Sequence, residues 1–469
     1  MGSKLLRHIS LLGIGVYLFA LIVVSIAFPN QALQTKWILW GIGEVLFFFG
    51  LTTFFYPRWK NDDPKVFRRK VFFTALAIRA LYAFLMCYYY YYETGVAFEY
   101  GAADSLSYHK SSQTFMRLVK QGNFSVVFQI LDRFTMGFSD QGYMLWLTLV
   151  YTIFGPNILT PRIFKALMSA YMCVVIYKLA TRTMGERTGR LAAVMCVFMP
   201  MLIQSCGLHT KETELLFLSI LALERMDYLI RSKKYTVWNI LFPVLLTGLT
   251  LGFRTIVGMC LIFAFLVFVI LSPKDRVGNK GKIIIASATV VVFLAFLFTK
   301  IGVEMRYIYE RRFYDWNFQQ ERYEKLGMKH SKLAHTKYLA PGAFVVPLAP
   351  LTEEANDHNK MVNGSIYVKN LIAFFAMLAI VVALRQKKWR DFSLIGAYEL
   401  SYLAIIMCSF AANLERYHEP AVPLLLLMAA YAMTRLRRKD MTLFYIYCAV
   451  LFAALVAWNW LKLSARGMV

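Results

Sequence analysis

The stretch ISLLGIGVYLFALIVVSIAF at residues 9–28 decides the fold class, because it runs for twenty residues without a charge. About 20 apolar residues at roughly 1.5 Å each cross the hydrocarbon of a bilayer. Inside hydrocarbon every backbone N–H and C=O must be bonded within the protein, which leaves helices or closed barrels. The apolar residues here are continuous and do not alternate, so the stretch reads as a helix. Similar blocks follow along the whole chain. They are expected near 9–28, 36–56, 71–92, 160–181, 190–207, 213–230, 237–253, 255–272, 282–300, 366–384, 392–412, 420–434 and 442–461. One such block could be a buried helix of a soluble protein, but a long series of them could not. The composition agrees: of 469 residues 59% are hydrophobic and only 17% charged, against about a quarter charged in soluble domains.

Charge placement gives the orientation, since short cytoplasmic loops hold the excess of Lys and Arg. PRWKNDDPKVFRRK at 57–70 carries six basic residues. TRTMGERTGR at 181–190, RSKK at 231–234, PKDRVGNKGK at 273–282, RQKKWR at 385–390 and RLRRKD at 435–440 repeat the signal. Every second loop is basic, so the reading is an all-α polytopic integral membrane protein of about thirteen helices, N-terminus inside and C-terminus outside. The formal charge of +25 is then mostly a topology signal, and nucleic acid is not an expected partner. The first apolar run is too long for a cleavable signal core. The seven cysteines lie in or beside spans with no CxxC spacing, which supports neither a zinc site nor a disulfide framework.

The expected organisation is two N-terminal helices in 1–70, a membrane core in 71–300, a large outer loop in 301–365 and C-terminal helices in 366–469. The first long outer loop, 93–159, contains SYHKSSQTFMRLV at 107–119, suited to a helix lying along the membrane surface. The second holds RYIYERRFYDWNFQQERYEK at 306–325 and a Pro-rich patch at 338–350. Elaborate outer loops place the work on the outer face.

Four clusters there could carry chemistry. FEYGAADSLSYHK at 98–110 sets Asp104 near Glu99, Tyr108 and His109; a carboxylate at the membrane boundary suits a general base. It would equally cap the helix that follows, and the two roles are compatible. GLHTKETELLF at 207–217 puts Lys211 and Glu212 in a hairpin, where Glu212 would also favour a helix dipole. Arg254, in LTLGFRTIVG, stands at the outer end of a span, either snorkelling to water or facing an anion. NLERYHEPAVPLLLL at 413–427 crowds Glu415, Arg416, His418 and Glu419 into one turn; Arg416 could pair with Glu419 or fork onto a phosphate. One carboxylate loop and three cationic turns on one face suit an anionic, membrane-borne substrate such as a lipid phosphate.

In that order and topology, from about residue 71 to 434, the chain resembles the GT-C class of polytopic glycosyltransferases, particularly bacterial protein mannosyltransferases and aminoarabinose transferases. The likeness rests on YGAADSLSYH, on YMLWLTLVYTIFGPNILTPRIFKALMSAYMCVVIYKLATRTMGERTGRLAAVMCVFMP at 143–200, on the Lys-Glu-Thr hairpin and on RYHEPAVPLLLLMAA. It implies transfer of a sugar from a polyprenyl-phosphate donor to an acceptor glycan, lipid or protein, with inversion, on the periplasmic face of a bacterial inner membrane. It implies Asp104 as catalytic base, and Lys211, Arg416 and, less directly, Arg254 as holders of the donor phosphate. Two additional spans precede the acidic loop, which in many relatives follows the first span, and Glu99 is not adjacent to Asp104 as a paired acid would be. Some members use a divalent metal and others none; no other cofactor is implied. A glycan polymerase or ligase using lipid diphosphates would suit the Arg-rich loop at 306–325. A transporter or flippase would want mid-span charges, for which Glu399 and Lys178 are the main candidates.

Overall fold

The computed structural model describes residues 3–134, 139–307, 310, 340–407, 414–464 and 467–468. Every expected span meets a helix. The series begins with α1 (Ser3–Ala27), α2 (Thr35–Trp59), α3 (Pro64–Thr94), α4 (Ala103–Lys120), α5 (Phe124–Phe134), α6 (Gln141–Phe154) and α7 (Leu159–Met184). It continues with α8 (Glu186–Phe198), α9 (Pro200–Gly207), α10 (Glu212–Ser232), α11 (Val237–Phe253), α12 (Thr255–Leu271) and α13 (Asn279–Leu297). Beyond the second long loop come the main helices Asn363–Arg385, Ser393–Met407, Val422–Met433 and Arg438–Ser464. Among the described residues the only extended pairing is a single bridge between Ala32 and Thr352. By length and composition, seven of the described helices can cross a membrane, or eight counting α8 and α9 as one bent span. The remaining expected spans coincide with α10, α11, α12, Ser393–Met407 and Val422–Met433, which are shorter or more charged. The count of crossings therefore rests on the loops as well as on the helices.

The bend of 45° between α8 and α9 has a local cause. Pro200 offers no N–H, and the residue before a proline is pushed out of the helical region; Met199 is accordingly extended, at φ −68° and ψ 113°. The break leaves the last carbonyls of α8 without partners along the helix. Fully buried Arg79 of α3 takes them, donating to Cys196 O at 2.8 Å and Val197 O at 3.1 Å. A buried cation is thus spent on backbone carbonyls and on the Ser169 hydroxyl at 2.7 Å.

Asn363–Arg385 and Val422–Met433 pack together at the centre, with α7 and α8 beside them. In lipid, helices associate through close packing more than through hydrophobic driving force, and small residues allow the approach. Gly364 meets α2 in this way: a Cβ there would clash with the Gly41 carbonyl oxygen.

All six basic loops meet at one end. Arg190 donates to Trp59 O, Arg435 to Met184 O, and Arg385 pairs with Asp440. Arg182 bonds Asp227, while Arg231 and Arg276 share Asp391. The four candidate clusters gather at the other end. The loop 93–159 supplies α4, α5 and α6. Most of 306–325 lies outside the described residues.

Candidate active site

α4 begins after a turn at Gly101, whose φ of +67° favours glycine. Its N-cap is Ala102, so Asp104 stands inside the first turn and makes no cap of its own. It pairs instead with Arg416, Nη1 to Oδ2 at 2.7 Å. Arg416 reaches Asp104 and not Glu419, which settles its pairing. Glu99, just before the turn, accepts from the Ser105 hydroxyl with one oxygen; the other is buried without a partner.

The 207–211 hairpin is held from beneath. Fully buried Lys165 of α7 donates to Leu208 O at 3.0 Å and to Thr210 O, and lies 3.6 Å from buried Glu214. Lys211 then stands at the start of α10 in an ion pair with Asp140, which also accepts from the Tyr108 hydroxyl at 3.1 Å. Burial pushes the Lys211 amine down to about 7, aided by the positive Arg254 and Arg416 and opposed by Glu212. Arg254 is the one extended residue between α11 and α12. It pairs with Glu212 at 3.1 Å, and its guanidinium lies 4.8 Å from the Tyr417 ring centre.

Two adjoining cavities result. The smaller, about 220 Å³, is walled by Tyr108, Asp140, Lys211, Glu212, Arg254 and Tyr417. The larger, about 470 Å³, is walled by Glu99, Tyr100, His358, Glu415 and Glu419 among others. Asp104, Thr210 and Arg416 belong to both. In the larger one His358 lies 3.3 Å from Glu415. Burial alone would lower the His358 ring, but the Glu415 carboxylate outweighs it and raises the ring above its ordinary value. Burial, then the charges of Glu212 and Glu415, holds Glu419 well above the usual carboxylate range.

Seven of the nine expected site residues thus meet at these cavities: Glu99, Asp104, Tyr108, Lys211, Glu212, Arg254 and Arg416. His109 does not. It turns inward, bonding the Tyr151 hydroxyl at 2.7 Å and Gln113 at 2.9 Å. Residues four apart share a helix face and those five apart do not, so Tyr108 points with Asp104 and His109 away. His418 is likewise buried outside both linings. Asp140 and His358 are additions, brought in by folding of the two long loops. Among the described residues no three His, Cys, Asp or Glu side chains are gathered as a metal ion would need. Asp104, Asp140 and Glu212 each face a cation already. This donor set does not fit a metal.

The undecaprenyl-phosphate-bound ArnT of Cupriavidus metallidurans is 16% identical over 68% of this chain and 54% of its own, at a TM-score of 0.41. The oligosaccharyltransferase AglB of Archaeoglobus fulgidus, solved with an inhibitory peptide and a dolichol-phosphate, is 13% identical over 86% and 56%, at a TM-score of 0.44. The chain therefore spans a little over half the length of each. Comparison with curated protein sequences finds no match. Residues 142–299 match the family described as dolichyl-phosphate-mannose-protein mannosyltransferase, a segment holding Lys211, Glu212 and Arg254 and stopping short of Asp104 and Arg416. Over that segment the chain carries the mannosyltransferase family's pattern, in keeping with its resemblance to the polytopic GT-C glycosyltransferases.

Proposed function

We propose that the protein is a membrane glycosyltransferase that moves a sugar from a polyprenyl-phosphate donor to an acceptor hydroxyl. The reaction is placed on the outer face of a bacterial inner membrane, with the N-terminus in the cytoplasm. The observation that carries this reading is the pairing of Arg416 with Asp104 at 2.7 Å, 312 residues apart in the chain. That pairing sits at a cavity holding two further cations, Lys211 and Arg254. Three cations in one small outer cavity suit a phosphate, Arg for its fork and Lys as a point charge. A carboxylate at its rim suits the acceptor.

In the proposed step the Asp104 carboxylate takes the proton from the acceptor hydroxyl as its oxygen attacks the anomeric carbon. The bond from that carbon to the phosphate oxygen breaks, its electron pair leaving with polyprenyl phosphate. Attack opposite the leaving group inverts the configuration. Lys211, Arg254 and Arg416 stabilise the charge that grows on the phosphate, and Asp104 returns its proton to water. The tested variant is Asp104→Asn. General-base loss predicts a fall in turnover of about 10²–10⁴ with expression and melting temperature unchanged. Near-normal transfer by that variant would sink the assignment.

A further inference from the structure

The two cavities differ in charge balance. Among the described residues the smaller is lined by three carboxylates and three cations, while in the larger Glu99, Asp104, Asp357, Glu415 and Glu419 face only Arg416 and His358. Some of those carboxylates are answered within the protein: Asp104 by Arg416, and Glu415 by His358. Asp357 has Lys360 at 2.9 Å, but Lys360 is shared with Glu353 at 2.7 Å. Among the described residues Glu99 and Glu419 have no ion-pair partner. Each is more than nine-tenths buried, at 8% and 5% exposure, and each keeps one buried oxygen without a hydrogen-bond partner. Buried polar atoms are costly to leave unpaired, so two of them on one cavity wall point to donors that a ligand brings. The volume, about 470 Å³, falls within the range of small-ligand sites.

Resting on the glycosyl-transfer reading above, we infer that the larger cavity is the acceptor subsite and takes a neutral, hydroxyl-rich sugar ring while rejecting a negatively charged one. A hydroxyl on such a ring gives a proton to Glu99 and both gives and takes hydrogen bonds at Glu419. The raised Glu419 carboxyl suits a partner of that dual character. An anionic ring would meet Glu99 and Asp357, whose only lysine is shared with Glu353, and like charges brought together in a desolvated site are rejected. Asp104 lines both cavities, so a ring in the larger one adjoins the proposed base.

The test uses the full chain in nanodiscs, free of glycoside detergents, and saturation-transfer NMR with methyl glucoside and methyl glucuronoside. These probes differ in one carboxylate. The expected result is binding of the glucoside at least about tenfold tighter than of the glucuronoside. Glu419→Ala should weaken the glucoside by about tenfold. Because Glu419 is buried, Asp357→Asn on the half-exposed rim provides a second variant, expected to narrow the discrimination with folding intact. Equal binding of both probes, preference for the glucuronoside, or binding of neither would overturn the inference. A parallel titration with undecaprenyl phosphate separates the two claims. Lipid binding that is lost in Lys211→Ala, with the glycoside result contrary, defeats the subsite alone. Failure of lipid binding in the wild type defeats the glycosyl-transfer reading.

Discussion

Two arginines meet the proposed phosphate, yet their removal should cost very different amounts of stability. Arg416 and Asp104 lie 2.7 Å apart with side chains 39% and 53% exposed. An exposed pair contributes about 0.2–1 kcal/mol, so Arg416→Ala should move the melting temperature by no more than about 3 °C in a chain of this size. Its loss from a preorganised phosphate site should cost about 3–4 kcal/mol of transition-state stabilisation, or 10²–10³ in turnover. Arg254 and Glu212 are 3.1 Å apart at 11% and 5% exposure. Removing Arg254 strands a buried carboxylate, which costs about 3–5 kcal/mol. Arg254→Ala should therefore lose both fold and activity. Arg254→Met combined with Glu212→Gln should recover the melting temperature and not the turnover. Intrinsic-fluorescence melting and transfer from a radiolabelled polyprenyl-phosphate sugar measure the two quantities on one preparation. The reasoning fails if Arg416→Ala melts as early as Arg254→Ala, or if its turnover stays within about tenfold of wild type.

Two further expectations follow from buried charge. The Lys211 amine, held near 7 by burial and by Arg254, binds phosphate only when protonated, so kcat/KM should fall as pH rises through about 7. Stability runs the other way: between about 7 and the ordinary lysine value of roughly 10.4 the unfolded chain binds more protons than the folded one, so stability should rise with pH there. Lys211→Arg should shift the activity limb to alkaline pH, and a profile identical to wild type would contradict the assignment. Lys165→Met strands buried Glu214 beneath the hairpin; it should lower stability by about 3–5 kcal/mol, with Glu214→Gln in the same chain restoring the melt. A single variant melting like wild type would show that the pair does not hold the hairpin.

The spans were legible because a bilayer imposes a length that continuous apolar runs display directly. ISLLGIGVYLFALIVVSIAF lies within the single helix Ser3–Ala27 but for its last residue. Val422–Met433 falls within the apolar block read at 420–434, between a polar turn before it and a basic loop after it. The candidate site was legible where cations stand at the outer ends of spans, at Lys211, Arg254 and Arg416, which the structure gathers at one cavity. Asp140 and His358 gave no such signal, because each lies inside a long loop where polar residues are ordinary. Their place in the site comes from tertiary folding: Asp140 reaches Lys211 and His358 reaches Glu415 across long stretches of chain. His109 misled for the reverse reason. It neighbours the right residues in sequence and faces the wrong way on α4.

The central claim, that a lipid-linked phosphate is held between Lys211, Arg254 and Arg416 beside Asp104, is tested most directly by cryo-electron microscopy of the protein with undecaprenyl phosphate. The account predicts head-group density in the smaller cavity, within hydrogen-bonding reach of Lys211 and Arg416, with the Arg416–Asp104 contact lengthened. Head-group density at the opposite end of the bundle, among the basic loops, would contradict it.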